Sequence, residues 1–164
     1  MGNRVKYHSG NSSGWVCNKY GDMKQSLLNI KRVVVHCSYT PPSMDIGVKE
    51  IRQWHLDRGW ADIAYHVVIR RDGSAEVGRD ITVVPAANGA GNNFNTIAIC
   101  YIGGMSADRK GSEDNRTDKQ KETMKKLQVE YDSLLKKKLE WVGHRDLPNV
   151  NKECPCFNVK EEFG

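Results

Sequence analysis

His144 and Cys154 stand ten residues apart near the end of the chain, in VGHRDLPNVNKECPC, with Lys152 two residues before the thiol. A loop of that length can fold back so that imidazole and thiolate share one metal ion. Zinc suits the pair best, because it takes imidazole nitrogen and thiolate together and tolerates an open fourth position. Two ligands do not make a site, and the best third candidate is His36, far upstream in VVVHCS. Three protein ligands with one open position describe a catalytic centre, whereas a structural site recruits a fourth. The near candidates for closing it are Cys156, Cys37 and His66. Alternation along a strand sends Cys37 to the face opposite His36, and Cys156 lies beyond a proline.

The elements that must position these groups follow from periodicity. Leu28 to Ser38 holds a buried strand centred on Val33, Val34 and Val35, with His36 near its end. Gly47 to Arg58 is expected as a helix, since Val48, Ile51, Trp54 and His55 recur at three and four. Tyr65 to Arg70 and Ser74 to Gly78 flank Arg71-Asp72-Gly73 and predict a β-hairpin. Pro85 to Asn95 is a loop of small and amide residues expected to line a cleft, and Thr96 to Ile102 is a second buried strand. After a polar loop over residues 105–116, Thr117-Asp118-Lys119-Gln120 is a capping box that opens a long helix. Its expected apolar face is Met124, Leu127, Tyr131, Leu134 and Leu135. Lys136, Lys137 and Lys138 near its end complement the macrodipole, which accounts for them without a nucleic-acid patch. Leu139 to Gly143 is a short final strand that delivers His144. Together these predict a single α/β domain: a mixed central β-sheet flanked by α-helices, with the zinc site at one edge of the sheet. Residues 1–27 show no period and are expected as an irregular arm, so the domain spans 28–164.

Bulk properties narrow the partners. With 164 residues, 38% hydrophobic and 27% charged, the chain can bury a core and is not disordered throughout. A formal charge of +5 favours an anionic target such as cell-wall polymer, and no nucleic-acid partner is expected. Five cysteines make no even disulfide framework, which points to reduced thiols or metal ligation. No apolar run approaches the ~20 residues of a membrane span, and the N-terminus has no apolar signal core. Synthesis in the cytoplasm, with the cell wall reached after lysis or export, is therefore expected, as is a monomer.

Four motifs in one register, VVVHCS, GW-x4-YHVVIRRDG-x4-GRD, NTIAICYIGG and GHRD-x7-CPCF, resemble the type 2 N-acetylmuramoyl-L-alanine amidases. The likeness is strongest to phage lysozymes of amidase type, with peptidoglycan recognition proteins more distant, and it covers residues ~30–158. It implies one zinc per chain on His36, His144 and Cys154, with Tyr65 beside the attacking water and Lys152 steadying the oxyanion. The implied reaction is hydrolysis of the amide between the lactyl group of N-acetylmuramic acid and L-alanine in peptidoglycan. An insertion lengthens the stretch between His144 and Cys154 relative to shorter versions of the family. Asn88 stands where the family often carries histidine, and is expected to hydrogen-bond substrate. The alternative of a non-catalytic peptidoglycan-binding module is disfavoured, because such relatives typically lack the cysteine ligand and Cys154 is present.

Overall fold

A computed structural model describes residues 23–164 and the backbone of Tyr7–Ser9. Its centre is a mixed sheet built from β1 (Tyr7–Ser9), β2 (Arg32–Cys37), β3 (Val67–Ile69), β4 (Ala75–Val77), β5 (Thr96–Tyr101) and β6 (Glu140–Gly143). The spatial order is β1-β4-β3-β5-β2-β6. β3 and β4 form the antiparallel hairpin, while β3, β5, β2 and β6 run parallel to their neighbours in that order. The parallel pairs need crossovers, and the helices α1 (Val48–Asp57) and α2 (Asp118–Leu135) lie in two of them.

Parallel strands covered on both faces carry continuous apolar runs, and β2 does. Val33, Val34 and Val35 are fully buried, each contributing about 1.5–3 kcal/mol of transfer free energy. Alternation divides them. Val33 and Val35 join Ile97, Ile99 and Trp141 under α2 and under a short helix α3 (Val159–Phe163). Val34 packs with Val142 and Leu147 on the other face, where Val68, Cys100 and Ile102 meet Val48 and Ile51 of α1.

The capping box at α2 forms as expected: Thr117 Oγ1 accepts from the Gln120 N–H at 3.1 Å, and Gln120 Oε1 accepts from the Thr117 N–H at 3.0 Å. The same glutamine is fully buried, and its Nε2 donates to the Ile69 and Ile102 carbonyls, fastening α2 to the sheet. Met124, Leu127 and Tyr131 face the core, but Leu134 is 59% exposed and leaves the stripe at the last turn. The long strand expected from Leu28 begins only at Arg32, after a 3-10 turn over Leu27–Asn29.

The boundary expected at residue 27 also moves. Gln25 is buried, its Nε2 donating to the Ile81 and Thr96 carbonyls and its Oε1 accepting from the Asn95 N–H. Tyr7–Ser9 pairs in parallel with β4 at the edge of the sheet, which the sequence pattern of the arm did not announce. Residues 1–6 and 10–22, with Cys17, lie outside the described residues. Among the described residues no helix is long and apolar enough to cross a membrane.

Candidate metal centre and active site

His36 is the penultimate residue of β2 and shares a face with Val34; His144 follows β6 directly. Because β2 and β6 are parallel neighbours, their carboxyl ends bring the two imidazoles together, ring centroids 4.5 Å apart. Open α/β sheets place ligands at such carboxyl ends. A 3-10 turn over His144–Asp146 redirects the chain, with Asp146 Oδ2 accepting from the Gly143 N–H at 2.8 Å. The loop then returns, and the Arg145 N–H donates to the Cys154 carbonyl at 2.8 Å. Gly143 permits this return, since a Cβ there would stand 2.7 Å from Pro155 Cδ.

One ligand atom each from His36, His144 and Cys154 lies within 4.8 Å of the other two. His36 turns Nδ1 toward Cys154 Sγ, at 3.9 Å. The backbone N–H of Cys37 donates to the same sulfur at 3.3 Å. Hydrogen bonding from the Cys37 thiol holds the Cys154 thiol well below the usual range, against the opposing cost of burial, with His144 and His36 assisting. A thiolate is the form that binds metal. Both histidines are buried, and Cys154 is half-buried, so the donors face a common space instead of bulk water.

The other sulfurs and imidazoles are engaged elsewhere. Cys156 Sγ faces Cys37 Sγ at 3.7 Å and is not among the group of donors. His66 accepts from the Ala98 N–H through Nδ1 and donates from Nε2 to the Val83 carbonyl, leaving neither nitrogen for a metal. His55 accepts from the Ala64 N–H, and burial lowers its pKa to about 4, so it is neutral. Among the described residues the group therefore has three protein donors and an open side, a donor set that fits a catalytic transition metal.

The open side gives onto a cavity of about 450 Å³, whose walls include Tyr39, Trp60, Tyr65, Ser112 and Lys152. Tyr65, from the stretch leading into β3, brings its ring to 5.2 Å from that of His36. Burial, with the neighbouring Cys100, Cys154 and Cys37 thiols, holds its hydroxyl well above the usual phenol range. Lys152 is exposed, and no ion pair engages its ammonium among the described residues. Glu153 beside it accepts a hydrogen bond from Ser112, which joins the 105–116 loop to the ligand loop.

Asn88, expected to hydrogen-bond substrate, is fully buried, with its amide engaged by protein groups. Its Oδ1 lies 2.8 Å from His36 Nε2, and its Nδ2 donates to the Asn92 carbonyl and to Thr96 Oγ1. The reason is local: Ala86 and Ala87 of the 85–95 loop line the cavity, whereas the next side chain, Asn88, turns to His36. Asn92 and Thr96 were missed in the sequence because amide-rich loops carry no period that names their partners. Asn92 also donates to the Pro148 carbonyl at 3.0 Å, tying this loop to the one that carries Cys154.

Comparison with known proteins agrees with this architecture. The sequence pattern of the N-acetylmuramoyl-L-alanine amidase family matches residues 26–157. The chain is 43% identical over 131 residues to the endolysin of Enterobacteria phage T3, spanning 78% of this chain and 82% of that one. It is 40% identical over 135 residues to the endolysin of Klebsiella phage KP32, spanning 79% and 82%. The fold is shared with the endolysin N-acetylmuramoyl-L-alanine amidase LysCS of Clostridium intestinale, with a TM-score of 0.75 at 22% identity over 98% of this chain and 93% of that one. With that family's pattern matched over residues 26–157, the chain belongs to the N-acetylmuramoyl-L-alanine amidases.

Proposed function

We propose that this chain cleaves the amide between N-acetylmuramic acid and L-alanine in peptidoglycan, using one zinc ion held by His36, His144 and Cys154. The observation that carries the reading is the convergence of those three donors on an open cavity that Tyr65 and Lys152 also line. Zinc bonds of about 2.0 Å to nitrogen and 2.3 Å to sulfur place tetrahedral ligands roughly 3.5 Å apart. The 3.9 Å between His36 Nδ1 and Cys154 Sγ is close to that, and all three donor atoms lie within 4.8 Å of one another. When bound, the metal supplies Lewis acidity, lowering the pKa of water and polarising the carbonyl.

The protein residues supply the rest. Attack on an amide moves negative charge onto the carbonyl oxygen, and an unpaired ammonium at the cavity wall is suited to meet it, which is the role of Lys152. Tyr65, with its pKa raised, is protonated at neutral pH. It therefore orients the attacking water and offers a proton to the departing nitrogen; it does not start as a base. The concave, partly aromatic wall with Tyr39 and Trp60 suits a glycopeptide more than a flat polymer face.

Protein purified without added metal is expected to contain one zinc per chain by elemental analysis. A variant with alanine at His36, His144 and Cys154 is expected to contain none. Zinc retained at one equivalent in that variant would place the metal elsewhere.

A further inference from the structure

The hydrogen bonds behind His36 have a fixed direction. The Asn92 carbonyl can only accept, and it faces Asn88 Nδ2 at 3.2 Å. Thr96 Oγ1 gives its own proton to the Asn93 carbonyl at 2.7 Å, so toward Asn88 it too accepts, at 3.0 Å. Two acceptors thus hold the NH₂ end of the Asn88 amide, and turning the amide over would set its oxygen against both. Oδ1 must then face His36 Nε2, 2.8 Å away, and an amide oxygen only accepts. Nε2 therefore carries the proton. In the neutral ring Nδ1 then keeps its lone pair, on the side of Cys154 Sγ.

We propose that Asn88 is a positioning residue for the metal centre: it fixes His36 in the Nε2–H tautomer and so presents Nδ1 as the ligand atom. This rests on the metal-site reading above and extends it to the shell behind the ligand. Metal-binding histidines generally donate their other N–H to such a partner, which sets tautomer and ring orientation. The shell is anchored on both sides. The Asn88 N–H donates to Asn93 Oδ1 at 2.9 Å, and Asn92 Nδ2 donates to the Asn88 carbonyl at 3.2 Å and the Pro148 carbonyl at 3.0 Å. One loop therefore orients His36 and tethers the segment between His144 and Cys154.

Nitrogen-15 NMR of the metal-free wild-type protein is expected to show a proton on His36 Nε2, and an unprotonated Nε2 would overturn the proposal without any variant. Zinc affinity, measured by chelator competition, is expected to fall about 10–100-fold in Asn88→Leu. Asn88→Asp, which keeps an acceptor for Nε2–H, is expected to bind zinc far more tightly than the leucine variant even if it unfolds at a lower temperature. Equal affinity in Asn88→Leu and wild type, with both folded by thermal melt, would refute the assignment. A wild-type protein with the Nε2–H tautomer but no zinc affinity would overturn the metal centre and the role of Asn88 with it, while leaving the hydrogen-bond direction standing.

Discussion

Cys154→Ser is expected to lower hydrolysis of muropeptide by about a thousand-fold or more, equivalent to about 4 kcal/mol of barrier, and to weaken zinc binding. Cys156→Ser is expected to leave both within a few-fold of wild type. The contrast is large because, of the two thiols separated only by Pro155, Cys154 alone stands among the histidine donors. Cys154 Sγ lies 3.9 Å from His36 Nδ1 and accepts the Cys37 N–H, whereas Cys156 Sγ lies 3.7 Å from Cys37 Sγ. A serine hydroxyl at 154 stays neutral and is a poor substitute for thiolate at a zinc site. Turnover and bound zinc measured on both variants check this. The opposite pattern of losses would mean that the metal sits on Cys156.

Lys152→Ala is expected to lower kcat about 100–1,000-fold with zinc content unchanged, the usual effect of deleting one oxyanion donor. Neither Lys152 nor Tyr65 belongs to the group of metal donors, so their loss separates chemistry from binding. Tyr65→Phe removes only the hydroxyl, leaves the ring against His36, and is expected to act in the same direction. Single-turnover rates on a defined muropeptide, with metal assayed in the same samples, distinguish the two effects. Wild-type kcat in both variants would exclude these residues from the reaction.

The three candidate metal donors were legible from local pattern, the two histidines standing at strand ends. A β-branched run points to a buried strand, and a histidine closing it must emerge where the strand does, as His36 does beyond Val35. The ten-residue spacing between His144 and Cys154 marked the returning loop. Asn88 was not legible. Its residue type gives the capacity to donate and accept, but whether that capacity is spent on substrate or behind a ligand depends on how residues 85–95 close over β2. Gln25 was misplaced for a similar reason: an isolated amide before a strand has no period, yet it bridges the Ile81 and Thr96 carbonyls. Helix α3 escaped because Val159–Phe163 is little more than one turn, and its order comes from Val159 and Phe163 packing under the sheet. Leu134 fits the helical stripe of α2 by spacing but not by burial, while Leu135 beside it packs on the core.

The central claim is that a metal-dependent centre cuts the bond between sugar and stem peptide. Mass spectrometry of the fragments released from purified peptidoglycan tests it most directly, with protein as purified, after chelation, and after zinc is returned. The account predicts free peptides beginning with alanine and glycan strands with intact lactyl groups, released by the first and third samples and not by the second. Fragments with new reducing sugar ends, peptides cut within the stem, or release undiminished by chelation would contradict it.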